Sequence, residues 1–135
     1  MGGYGFRKGK SIGVHDKLYA YAVYGKKDDK EFAMVSLDLL GLFNKYVNKF
    51  RKIINKKTGI PQKNILIHCV HNHSGPDTVG LTDIKGFFIR TINEDYFKPI
   101  EKGILNAIIK AKENVVPSKI GADKTEAEKR LIVNR

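Results

Sequence analysis

Two nearly continuous apolar runs, Phe32 to Leu40 and Asn64 to Val70, flank a segment patterned quite differently. In that segment Leu42, Phe43, Tyr46, Val47, Phe50, Ile53 and Ile54 recur at three- and four-residue steps, with lysines between them. The runs read as buried strands and the segment as an amphipathic helix. The first run has too many apolar residues for a one-faced strand, which predicts a central strand covered on both sides. Gly41 opens the helix, Lys56 and Lys57 suit its negative end, Gly59 can cap it and Pro61 stops it. Upstream, Lys17 to Tyr24 alternates as a strand, and the polar turn Gly25 to Lys30 joins it to Phe32 to Leu40 as an antiparallel hairpin. A hairpin that feeds a strand–helix–strand unit predicts an α/β fold with a mixed sheet.

A polar, glycine-rich loop follows from Asn72 to about Thr91. Asn93, Glu94 and Asp95 look like a helix start, and Pro99 leaves two arrangements open. Either Asn93 to Lys98 forms a separate turn before the main helix, or the helix is kinked at the proline. Ile100, Ile104, Ala107, Ile108 and Ala111 form the expected buried stripe. Gly103 inside it costs about 1 kcal/mol relative to alanine, a deficit expected to be offset by packing. After Pro117, Lys119 to Ala122 and Leu131 to Asn134 read as two short strands. The expected order is β-β-α-β-loop-α-β-β. Its last strand reaches the terminus without a closing turn, so residues 1–135 read as a single domain that is an incomplete portion of a larger one. Such a portion should expose apolar surface and unpaired strand edge, and so tend to self-associate.

A chain of 135 residues suits one modest core, and 41% apolar residues argue against disorder. No apolar run approaches the roughly 20 residues of a membrane span. Met1-Gly2-Gly3-Tyr4-Gly5 lacks the pattern of a secretory signal, and the lone Cys69 precludes an internal disulfide. Both point to the cytoplasm. The net charge of +11 comes from scattered lysines, not interleaved with aromatics along one element. That distribution favours a solubilising role. A basic module for anionic lipid or nucleic acid is the alternative.

The chemistry concentrates in His68-Cys69-Val70-His71-Asn72-His73-Ser74-Gly75-Pro76-Asp77. Strand alternation would put Cys69, His71 and His73 on one face and His68 and Val70 on the other. Two imidazoles at a strand end can aim at one point beyond the sheet, and neutral imidazole is a good zinc ligand. Such pairs also occur as ordinary hydrogen-bonded histidines. Cys69 is either a third ligand or a packed core residue, and His68, facing away, a satisfied core or second-layer histidine.

The run Ile65 to Pro76 resembles the signature of the neutral ceramidase family, a hydrophobic strand ending in H-T-H-S-G-P, with Asn72 in place of the usual threonine. The likeness extends to Gly3-Tyr4-Gly5, Gly13-Val14-His15-Asp16, Leu18-Tyr19-Ala20, Val35 to Leu42, Tyr96, Pro117 to Gly121 and Leu131 to Arg135. The resemblance implies the amino-terminal part of a zinc-dependent catalytic domain that hydrolyses the N-acyl amide bond of a ceramide-like lipid. It makes His71 a metal ligand and His73 a catalytic residue that contacts the reacting carbonyl or its oxyanion. It makes Arg135 a catalytic residue that holds the carboxyl group of the released fatty acid. Asp38 would orient a ligand, or else pair structurally with a basic side chain. The family's other zinc ligands (a histidine, a glutamate and a tyrosine) and its catalytic serine region have no counterpart in these residues. The resemblance therefore implies an incomplete Zn2+ site, an isolated chain that is inactive, and a complementary chain or homo-oligomer as partner. A non-catalytic remnant is the other reading of the same departure.

Overall fold

The computed structural model describes residues 2–3, 11–80, 83–84, 87–88, 92–126 and 128. Strands β1 (Ala20–Lys27) and β2 (Lys30–Leu37) pair antiparallel, and β3 (Ile65–Cys69) pairs parallel to β2, giving the sheet order β1-β2-β3. Helix α1 (Asn44–Thr58) makes the crossover that a parallel pair requires. Helix α2 (Phe97–Glu113) lies over β1. This is a small α/β fold with a mixed sheet.

The hairpin is tighter than the polar run predicts. Only Asp28 and Asp29 form its turn, with Asp28 in the left-handed region (φ 53°) that aspartate tolerates. Lys26 and Lys27 stay in β1 opposite Glu31 and Lys30, because a charged residue at a hairpin tip can pair across the ladder while its side chain stays in water. Helix α1 starts at Asn44 rather than Gly41. Phe43 precedes it in an extended conformation, so Leu42 and Phe43 pack on the core from outside the helix. Gly59 closes α1 with φ 82° and donates its N–H to the Asn55 carbonyl, as its capping role requires.

Of the two arrangements around Pro99, the structure is nearer the separate turn, but the turn is shorter than Asn93 to Lys98 and the main helix starts before Pro99. Residues Glu94–Tyr96 make a 3-10 turn, capped by the Asn93 side chain accepting from Asp95 N–H at 3.0 Å. α2 then begins at Phe97, so Pro99 falls in its first turn, where a missing N–H leaves no intrahelical bond unmade. The Tyr46 and Phe97 rings stack at 3.7 Å between centroids and tie α1 to α2.

One core gathers Ala33, Val35 and Leu37 of β2, Ile65 of β3, Tyr46, Phe50 and Ile54 of α1, and Phe97, Ile104 and Ile108 of α2. Its rim is held by Glu31, whose carboxylate accepts from Tyr24 Oη at 2.8 Å and from Lys112 Nζ at 3.0 Å. The same ammonium donates to the Thr58 carbonyl, so one group joins β2, α2 and the end of α1. The Tyr24 hydrogen bond and then Lys112 hold the Glu31 carboxyl below its ordinary range. Burial, reinforced by Glu31, pushes the Tyr24 phenol up to about 12.

Three expectations are corrected. Among the described residues β2 is covered on one side only, because both helices share the face that carries the core. On the other face Val23, Met34 and Leu66 form one cross-strand row and are 62%, 46% and 48% exposed, with Tyr21 and Phe32 beside them. An apolar strand reports what could be buried, not how many layers are present to bury it. The loop after His73 is not structureless, since β4 (Asp83–Ile84) and β5 (Phe87–Phe88) pair antiparallel within it. Lys119 to Ala122 is no strand: the segment is exposed and has no ladder partner. Leu131 to Asn134 lies outside the described residues. Among the described residues no helix is long and apolar enough to cross a membrane.

Gly103 also departs from expectation. A β-carbon built there would meet only the Ala20 side chain, at an ordinary 3.9 Å, so no close approach requires glycine. Gly103→Ala should therefore stabilise the fold by about 0.5–1 kcal/mol. Urea denaturation followed by circular dichroism measures it, and a loss of stability would show that α2 sits closer to β1 than described.

Candidate active site

β3 ends at Cys69, but its pairing with the chain beyond β2 continues. Val70 N–H donates to the Leu37 carbonyl and His71 N–H to the Leu39 carbonyl, each at 3.0 Å. His71 then adopts φ 63°, a left-handed conformation uncommon for a residue that is not glycine. The simple alternation expected for Cys69, His71 and His73 therefore does not carry through, because it assumes extended backbone and His71 is left-handed. The imidazoles of His71 and His73 nevertheless lie together, with ring centroids 5.2 Å apart in an edge-to-face arrangement. His71 is exposed and His73 half-buried, so a small group arriving from solvent could touch both rings.

His71 is held by a side-chain bond of defined polarity. Its Nδ1 lies 2.9 Å from the Leu40 carbonyl oxygen. A carbonyl can only accept, so Nδ1 carries the proton, and in the neutral tautomer the lone pair free to bind a metal is that of Nε2. A zinc-ligating histidine commonly has its other nitrogen bonded in this way. The residue after Leu40 is anchored as well. Thr78, completely buried, donates its hydroxyl to the Gly41 carbonyl at 2.6 Å.

The loop that carries the histidines is tied to itself. The Asn72 side chain accepts from Ser74 N–H at 3.1 Å, an Asx turn, so the residue standing for the expected threonine closes the bend between the two histidines. Asp77 Oδ1 accepts from Val79 and Gly80 N–H at 3.1 and 2.7 Å. Gly75 is buried beneath Leu18, where a β-carbon would stand 3.1 Å from its Cδ1. Gly2 N–H reaches the Gly75 carbonyl at 3.0 Å, which brings the chain's opening glycines against this loop.

The remaining candidates separate. Cys69 packs against the core and burial raises its thiol pKa, so the packing reading holds. His68 is no core histidine, because it sits on the uncovered face, exposed, with its Nδ1 3.5 Å from Ser36 Oγ. Asp38 accepts from Tyr19 N–H at 2.9 Å and donates its own N–H back to the Tyr19 carbonyl at 3.1 Å. It closes the end of the hairpin and bonds neither histidine nor a basic side chain in these contacts. Arg135 lies outside the described residues.

Among the described residues no group of three or more histidine, cysteine or acidic side chains gathers to hold a metal ion. The donor chemistry of His71 fits one zinc ligand. It does not amount to the set of three protein ligands that a catalytic zinc normally has.

Over residues 1–135 the chain matches the family model described as neutral/alkaline non-lysosomal ceramidase, N-terminal. No curated protein and no solved structure matches it.

Proposed function

We propose that this chain, which belongs to the neutral/alkaline non-lysosomal ceramidase family, supplies part of a zinc-dependent site that hydrolyses an N-acyl amide bond in a ceramide-like lipid. The observation that carries the zinc reading is the bond from His71 Nδ1 to the Leu40 carbonyl, which commits Nδ1 and leaves Nε2 as the nitrogen to bind a metal. Zinc bound there would act as a Lewis acid toward the amide carbonyl.

The chain's own residues divide the remaining work. His71 orients its donor nitrogen through a backbone carbonyl, which has no proton to exchange and little freedom to move. His73, with its ring 5.2 Å from that of His71, would donate to the oxygen on which negative charge develops as the amide is attacked. Arg135, by resemblance, would bind the carboxylate of the released acyl chain. The other metal ligands would come from outside the described residues.

The purified chain, given zinc and either ceramide or a simple N-acyl amide, is therefore expected to hydrolyse at background rate. Release of fatty acid is the readout. Robust zinc-dependent hydrolysis that disappears in His71→Ala would show that the chain carries a complete site.

A further inference from the structure

We propose that the Gly2–Gly3 turn is a positioning element for His73, its backbone forming the wall on which the imidazole rests. Gly3 adopts φ 87°, a conformation that side-chain-bearing residues rarely take. A β-carbon built at Gly3 would fall into the His73 ring, against Nδ1, 2.6 Å from Cε1 and 2.8 Å from Cγ. Backbone and imidazole therefore touch where no side chain could intervene. Gly2 is wedged as tightly. It is buried, and a β-carbon there would stand 3.1 Å from Asp77 Cα, 3.2 Å from Leu40 Cδ2 and 3.3 Å from the Pro76 carbonyl oxygen.

The glycine pair thus fills the gap between the loop that carries His73 and Leu40, the residue whose carbonyl holds His71. Its anchor is the Gly2 N–H bond to the Gly75 carbonyl. With the Gly3 backbone against it and the His71 ring beside it, His73 is confined to a narrow range of orientations. A group that must meet a developing oxyanion benefits from that confinement. The catalytic meaning rests on the role proposed for His73, whereas the geometric claim does not.

A double-mutant cycle of Gly3→Ala, His73→Ala and the pair, read by urea unfolding, tests the contact. Gly3→Ala alone is expected to lower the folding equilibrium constant strongly and to shift the His73 ring signals in 1H–15N spectra, leaving those of His68 in place. With His73 already alanine, the same substitution should be better tolerated by roughly tenfold or more in that constant, since the clash is gone and only the φ penalty remains. If Gly3→Ala does not fold, recovery of folding in the double variant supports the contact, and failure to recover contradicts it. Equal penalties in both backgrounds with unmoved His73 signals would overturn the proposal. No zinc or substrate enters these measurements, so they can fail while the proposed function stands, and the reverse.

Discussion

Phe50→Ala is expected to destabilise the fold by about 3–5 kcal/mol, the range for removing a fully buried phenylalanine. Phe50 is 1% exposed and stands on α1 between Tyr46 and Ile54, all three buried in the core shared with β2, β3 and α2. Truncation would open a cavity at the centre of the one core that both helices share, and neighbours fixed by strand pairing can collapse into it only in part. Domains of this size are stable by about 5–15 kcal/mol, so the variant should be near the threshold of unfolding. The site should suffer with it, because α1 joins β2 to β3 and the ends of those strands hold His71. Urea denaturation of Phe50→Ala beside Lys52→Ala, an exposed position on the same helix, reads the effect. A difference below about 1 kcal/mol between them would mean that α1 does not pack as described.

The hairpin, α1, β3 and α2 were legible because each rests on local periodicity, which records which side chains are apolar and at what spacing. Coverage was not legible. Val23, Met34 and Leu66 are as apolar as their inward neighbours, yet among the described residues their face carries no layer, and only three-dimensional placement reveals this. Local signals also located the histidine loop. What holds it there was hidden, because the Leu40 and Gly41 carbonyls and the Gly2–Gly3 backbone meet the histidine loop through folding and not through spacing. Asn72 illustrates a middle case. Its type suggests a turn, and the Asx bond to Ser74 shows which one.

The zinc reading places its largest expected effect on His71. Replacing a partner that merely orients a ligating histidine costs roughly 10–100-fold in metal affinity. Removing the ligand itself should cost no less, so His71→Ala is expected to weaken zinc binding at least about tenfold. The variant should remain folded, since the His71 side chain is exposed and hydrogen-bonds a loop carbonyl rather than a core group. His15, exposed and 2.8 Å from the Asp16 carboxylate, and His68, exposed on the uncovered sheet face, offer zinc alternative sites and so serve as internal controls.

Zinc titration of the 15N-labelled chain, followed by long-range 1H–15N spectra of the imidazoles, bears most directly on this assignment. Before zinc is added, His71 should show a protonated Nδ1, as its bond to the Leu40 carbonyl dictates. Zinc should then move the Nε2 resonance of His71 at lower concentration than any resonance of His15 or His68, and His71→Ala should abolish the tightest phase. A response confined to His15 or His68, or zinc affinity unchanged by His71→Ala, would contradict the assignment of His71 as a metal ligand.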